Sequence, residues 1–110
     1  MSDSQSKIRD LQMIEQNLAN ISQQKQHFQS QLFEVESALK ELKRDPTAYK
    51  IIGSIMVKAD SSNLIKELNE KEEVFKLRMD SLEKQEKNLG EKAAALQKEV
   101  MEELKKEKNE

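Results

Sequence analysis

Ala48-Tyr-Lys-Ile-Ile-Gly-Ser-Ile-Met-Val-Lys58 interrupts a chain that is otherwise written in heptads. Ala48 to Ile52 is rich in β-branched and aromatic side chains, which favour a pleated strand. Gly53-Ser54 places glycine first in a two-residue turn, as a type II′ hairpin requires. Ile55 to Lys58 then reads as the returning strand. In that register Ile52 faces Ile55 and Lys50 faces Val57 on one side of the ribbon. Ile51 faces Met56 and Tyr49 faces Lys58 on the other. Both sides are therefore partly apolar, and an isolated two-stranded ribbon is at best marginally stable in water. Tyr49, Ile51, Ile52, Ile55, Met56 and Val57 are thus expected to recruit strands from other chains, and closing several hairpins into a barrel removes their open edges.

Outward from the hairpin, the preceding residues form a helix from about 4 to 43. Leu11, Leu18, Lys25, Leu32 and Leu39 make one row. Ile14, Ile21, Phe28, Val35 and Leu42 make the other. Steps of three and four residues describe the narrow seam of a coiled coil. Asp45-Pro46 stops this helix, because proline lacks a donor and pushes its predecessor out of the α region. After the hairpin linker, 45–59, a second helix is expected over 60–106, with Asp60 as its N-cap. Its rows are Leu68, Phe75, Leu82, Leu89 and Leu96, and Ile65, Glu72, Met79, Glu86, Ala93 and Val100. The phase reads as slipping near Val100, Met101 and Leu104, and the last residues as frayed.

The expected fold is mainly α: two long helices in an antiparallel coiled coil, joined by one β-hairpin. Residues 1–110 form a single domain in this reading. At ~1.5 Å per residue each helix spans about 60–70 Å. The early residues of the first helix then meet the late residues of the second.

Composition narrows the function. The 110 residues are 36% charged and 4% aromatic, with two glycines and a formal charge of −2. Acids and bases interleave along the helices as solvated faces. No basic face points to nucleic acid, whose phosphates draw cationic surfaces. There is no cysteine and a single histidine, so common nitrogen–sulfur metal sites are not expected, nor is any cofactor. His27 reads as a solvated helix residue. No apolar run reaches the ~20 residues of a membrane span, and Met1 to Lys7 lacks the apolar core of a signal peptide. A cytoplasmic, non-enzymatic protein is expected.

The open ends of the helices supply a second candidate surface. Ile8, Met13, Met101 and Leu104 are apolar but lie off the seam or at its margin. Leu11, Ile14, Leu96 and Val100 lie on it, near ends where helices fray. Methionine adapts to irregular partners. Together these eight residues are candidates for holding non-native chains, which expose apolar surface of no fixed sequence. Gly90, inside the second helix, is read as permitting the outer arm to splay. Lys25 and Glu86 break the apolar rows and are read as fixing register or reaching solvent.

The order of elements, with Tyr49 through Lys58 and the following Leu64-Ile-Lys-Glu-Leu68 segment, resembles the β-type subunits of the prefoldin family across nearly the whole chain. The single hairpin matches the β class, and the charge balance and short N-terminus resemble its archaeal members. The resemblance implies a hexamer of two α-type and four β-type subunits whose hairpins join in a β-barrel. It further implies coiled-coil arms whose outer ends grip unfolded polypeptides without ATP and hand them to a group II chaperonin. It places the six hairpin residues in assembly and the eight end residues in client contact. An alternative from the same residues is a coiled-coil tether or adaptor docking one folded partner. A metal-holding turn like that of transcript-cleavage factors fits poorly, because the turn here is apolar.

Overall fold

The computed structural model describes residues 2–109, so the two ends of the expected 1–110 domain lie outside the described residues. The elements run α1 (Ser2–Arg44), β1 (Ala48–Ile52), β2 (Ile55–Ala59) and α2 (Ser61–Asn109). The second helix therefore continues past Lys106, where the sequence suggested fraying.

Each boundary has a local cause. At the end of α1 the Asp45 N–H still donates to the Glu41 carbonyl at 2.9 Å. Pro46 cannot extend the ladder, and the Thr47 N–H donates instead to Asp45 Oδ1 at 3.1 Å. Asp60 caps α2: its Oδ1 accepts the Ser62 N–H at 3.2 Å and the Ser62 hydroxyl at 2.9 Å. The Asp60 carbonyl accepts the Leu64 N–H at 3.0 Å. That is the N-cap arrangement, in which a side-chain oxygen satisfies a donor the helix leaves open.

The strands are antiparallel, and Ile52↔Ile55, Ile51↔Met56, Lys50↔Val57 and Tyr49↔Lys58 are opposite partners. Gly53 has φ of 61°, and no other described residue has positive φ. Only the first turn position is thus left-handed, which is the type II′ signature and the reason glycine stands there.

The chain divides into two compact units: residues 26–80, with the hairpin, and residues 1–25 with 81–110. In the first, Phe28 lies 5.9 Å from Phe75 between ring centroids. Arg78 sits 5.7 Å over the face of Phe28, and His27 meets its edge. Val35, Leu42 and Ala48 are buried. In the second, Ile14, Ile21, Leu82 and Val100 are buried. All six buried helix residues among these fall on the expected rows. No described side chain is completely buried, because a two-helix seam has solvent along both flanks.

Candidate functional site

Two surfaces stand out, one in each unit. The first is the hairpin. Tyr49, Ile51, Ile52, Ile55, Met56 and Val57 are all exposed, Ile51 most of all at 72%. Alternation along the strands puts Ile52, Ile55 and Val57 on one side and Tyr49, Ile51 and Met56 on the other. Fully burying one such side chain is worth roughly 1.5–3 kcal/mol. Six of them left in water are a strong drive towards association. On the side of Ile52 and Val57, Lys50 reaches α2, where its Nζ donates to both oxygens of Glu67 at 3.2 and 3.0 Å.

The second surface is the open end of the helix pair, where α1 begins and α2 finishes. Here the seam changes character. Ser4 is buried, and its hydroxyl donates to the Glu103 carboxylate. Lys7 Nζ lies 2.5 Å from Glu103 and 3.3 Å from Glu99. These residues continue the rows: Ser4 and Lys7 precede Leu11 and Ile14 by one heptad, and Glu103 follows Leu96 by one. The Lys7 hydrogen bond, then that of Ser4, holds the Glu103 carboxyl below its ordinary range. The same contact to Glu103 raises Lys7.

The expected slip of phase at Val100, Met101 and Leu104 is therefore corrected. The rows run straight through Val100 and Glu103, and Met101 and Leu104 stand outside them, both exposed. Ile8 and Met13 are likewise exposed. Met101 and Leu104 line an open cavity of about 520 Å³ with Lys105, Glu107 and Lys108. Leu11 and Leu96 are half-buried. Ile14 and Val100 are buried in the seam, so of the eight end residues these two offer no surface in this conformation.

Lys25 and Glu86, the two polar breaks in the rows, meet each other: Lys25 Nζ lies 3.2 Å from Glu86 Oε1 and 4.0 Å from Glu83. Three exposed apolar residues, Phe33, Val74 and Leu77, were not singled out from sequence. Each is a lone apolar residue outside the rows, and such residues are common on any surface. Among the described residues no cluster of side chains is suited to holding a metal ion. No described helix is long and apolar enough to cross a membrane.

Comparison with known proteins gives one consistent result. The family profile described as "Prefoldin subunit" matches residues 5–107. The prefoldin subunit beta of Thermococcus onnurineus is 37% identical over 95 residues, covering 84% of this chain and 82% of the relative. That of Thermoplasma volcanium is 39% identical over 97 residues, covering 84% and 78%. The crystal structure of the prefoldin beta subunit from Thermococcus strain KS-1 superposes with a TM-score of 0.86 at 34% identity, over 94% of both chains.

Proposed function

The chain belongs to the prefoldin family as a chaperone subunit of the β type, and on that premise we propose that it captures unfolded polypeptides at the open end of its coiled coil. Such a subunit assembles with other prefoldin subunits. In our reading the chain acts as one domain, its hairpin closing with those of α-type and further β-type subunits into a barrel of two α and four β. It works in the cytoplasm without ATP or cofactor and passes its clients to a group II chaperonin.

The observation that carries this reading is the reversal of polarity at the open end. Ser4, Lys7 and Glu103 occupy the seam, while Ile8, Met13, Met101 and Leu104 face solvent. A helix pair built only for its own stability places apolar residues inside. Here, hydrogen bonds hold the ends together and leave the apolar residues free to touch something else. Leu11 and Leu96 extend this surface at its margin. Ile14 and Val100 join it when the ends part. Weak apolar contacts repeated on several arms gain avidity without any strong single site. Holding an unfolded chain needs no nucleotide, since binding alone draws it away from aggregation.

The test combines this chain with an α-type subunit and follows aggregation of a denatured protein by light scattering. Met101→Ser with Leu104→Ser should weaken suppression while native mass stays unchanged. Full suppression by that variant would refute the client surface. Saturable binding to one folded protein, with indifference to denatured ones, would favour a tether instead.

A further inference from the structure

We propose that neighbouring copies of this chain also dock through their helices, Phe33 of one copy packing against Val74 and Leu77 of the next. The proposal rests on the reading that hairpins assemble, and extends that contact beyond the strands. It begins from two opposite flanks of the unit 26–80. One flank is marked by an open cavity of about 400 Å³ between Glu36, Lys40 and Lys43 of α1 and Ile65, Asn69 and Glu72 of α2. Phe33 precedes Lys40 by one heptad and so shares its row. Phe33 is 71% exposed. The other flank carries a cavity of about 350 Å³ lined by Glu67, Glu70, Lys71, Val74 and Phe75. Val74 follows Glu67 by one heptad, and Leu77 beside it is 68% exposed.

Each flank mixes charges, Glu36 and Glu72 beside Lys40 and Lys43 on one and Lys71 beside Glu67 and Glu70 on the other. One heptad nearer the hairpin than its apolar residue, the first flank presents Lys40 below Phe33 and the second presents Glu67 below Val74, so these two positions carry opposite charges. Their heights also match. At ~1.5 Å per residue, Phe33 stands about 17 Å along α1 from its hairpin end and Val74 about 20 Å along α2 from its own. Lys40 and Glu67 stand at about 6 and 9 Å on the same measure. Both pairs are thus offset by the same ~3 Å, a small slide between two parallel slabs.

The second flank is also continuous with the hairpin. Glu67 lines a further cavity of about 230 Å³ together with Ile52, Val57 and Leu64, and its carboxylate receives Lys50. A strand partner seated on Ile52 and Val57 therefore brings its own helices beside Glu67, Val74 and Leu77. Two different flanks of one chain make a heterologous contact, which in the proposed hexamer forms wherever two copies of this chain adjoin. A flat row of mixed charge and fixed spacing suits a folded neighbour of the same sequence better than a chain without fixed structure.

The absence of cysteine makes the test direct. Chains carrying Phe33→Cys are mixed with chains carrying Val74→Cys, or Leu77→Cys, assembled with an α-type subunit and oxidised. A disulfide requires Cα atoms within about 7 Å. Hairpin assembly raises the local concentration to roughly millimolar. The mixed pair should therefore link at least about tenfold faster than any variant alone, and Lys40→Glu in the Phe33→Cys chain should slow it. If native mass shows the assembly but the mixed pair links no faster than the single variants, the helix contact is refuted and the hairpin reading stands. A chain that stays monomeric beside its α-type partner refutes both. If a denatured client shields Val74→Cys or Leu77→Cys and no mixed link forms, the strip belongs to clients and the proposal falls.

Discussion

Replacing Lys25 and Glu86 together by leucine should raise the melting temperature of the chain. The two side chains occupy seam positions and are 24% and 41% exposed. Burying a leucine fully is worth roughly 1.5–3 kcal/mol. Scaled by the burial available, the two replacements supply about 1.5 and about 1 kcal/mol. The lysine stem already covers some apolar surface, which lowers the first figure. Against this stands the lost ion pair. Its 3.2 Å contact is half in water, and pairs of this kind contribute about 0–1 kcal/mol. The net gain is about 1–2 kcal/mol, or a rise of roughly 5–10 °C for a domain of this size. The assay is the helical circular dichroism signal on heating, at one fixed chain concentration because association shifts the midpoint. Lys25→Leu alone should gain less than the pair, since it leaves the Glu86 charge without its partner. A double variant that melts below the native chain would show that the pair contributes more than solvent-facing geometry permits, and the reasoning would fail.

Ile51→Asp puts a charge where hairpin partners should close; loss of burial alone should weaken association by about 3 kcal/mol, or some hundredfold, read as dissociation by sedimentation while the helical signal persists. The carboxyl of Glu103 titrates lower in the folded chain than in the unfolded one. Its contribution is therefore complete above the ordinary glutamate value of 4.5 and is lost as pH falls through the lower folded value. Lys7, shifted upward, contributes fully below 10.5 and loses its contribution as pH rises beyond that. Amide protection over residues 4–12 and 98–106, taken relative to the intrinsic exchange rate at each pH, should fall on acidification before that of the hairpin does, and Glu103→Gln should flatten that dependence; protection unchanged through the carboxylate range would disprove it. Gly90 has open space where a Cβ would stand. Gly90→Ala should stabilise the chain by about 1 kcal/mol, seen as a higher melting temperature, and should reduce client capture if glycine there serves to let the ends part. Capture that is untouched in the stiffer variant would end that role for Gly90.

What was legible in the sequence was whatever depends on short-range order. The type II′ turn follows from one glycine with two strands of matching pattern, and the Asp60 cap follows from a side-chain oxygen just before a helix. The seam rows follow from spacing, and they held even where their occupants were only half-buried. Two things escaped because they depend on which polar residues meet across the pair. Lys25 and Glu86 looked like separate interruptions until the antiparallel register brought them within 3.2 Å of each other. At the open end, apolar residues were used to trace the seam, so Met101 and Leu104 suggested a slip. The seam instead continued through Ser4, Lys7 and Glu103, which carry no apolar signal.

That second error bears on how the subunit works. Hydrophobic periodicity finds the inside of a helix pair by assuming that greasy residues are hidden. At a surface meant to hold other chains the assumption reverses, since a hidden residue can hold nothing. On the proposed reading, the departure from pattern at Met101 and Leu104 is itself the mark of the client surface. It could have been found by extending the heptad count from Leu96 and Val100 without regard to polarity. The same count flags Phe33, Val74 and Leu77, which lie off the rows. Singly such residues are common on any surface; for the helix-docking proposal it matters that Phe33 and Val74 stand at matching heights on opposite flanks, and the mixed-cysteine experiment decides whether a neighbour covers them.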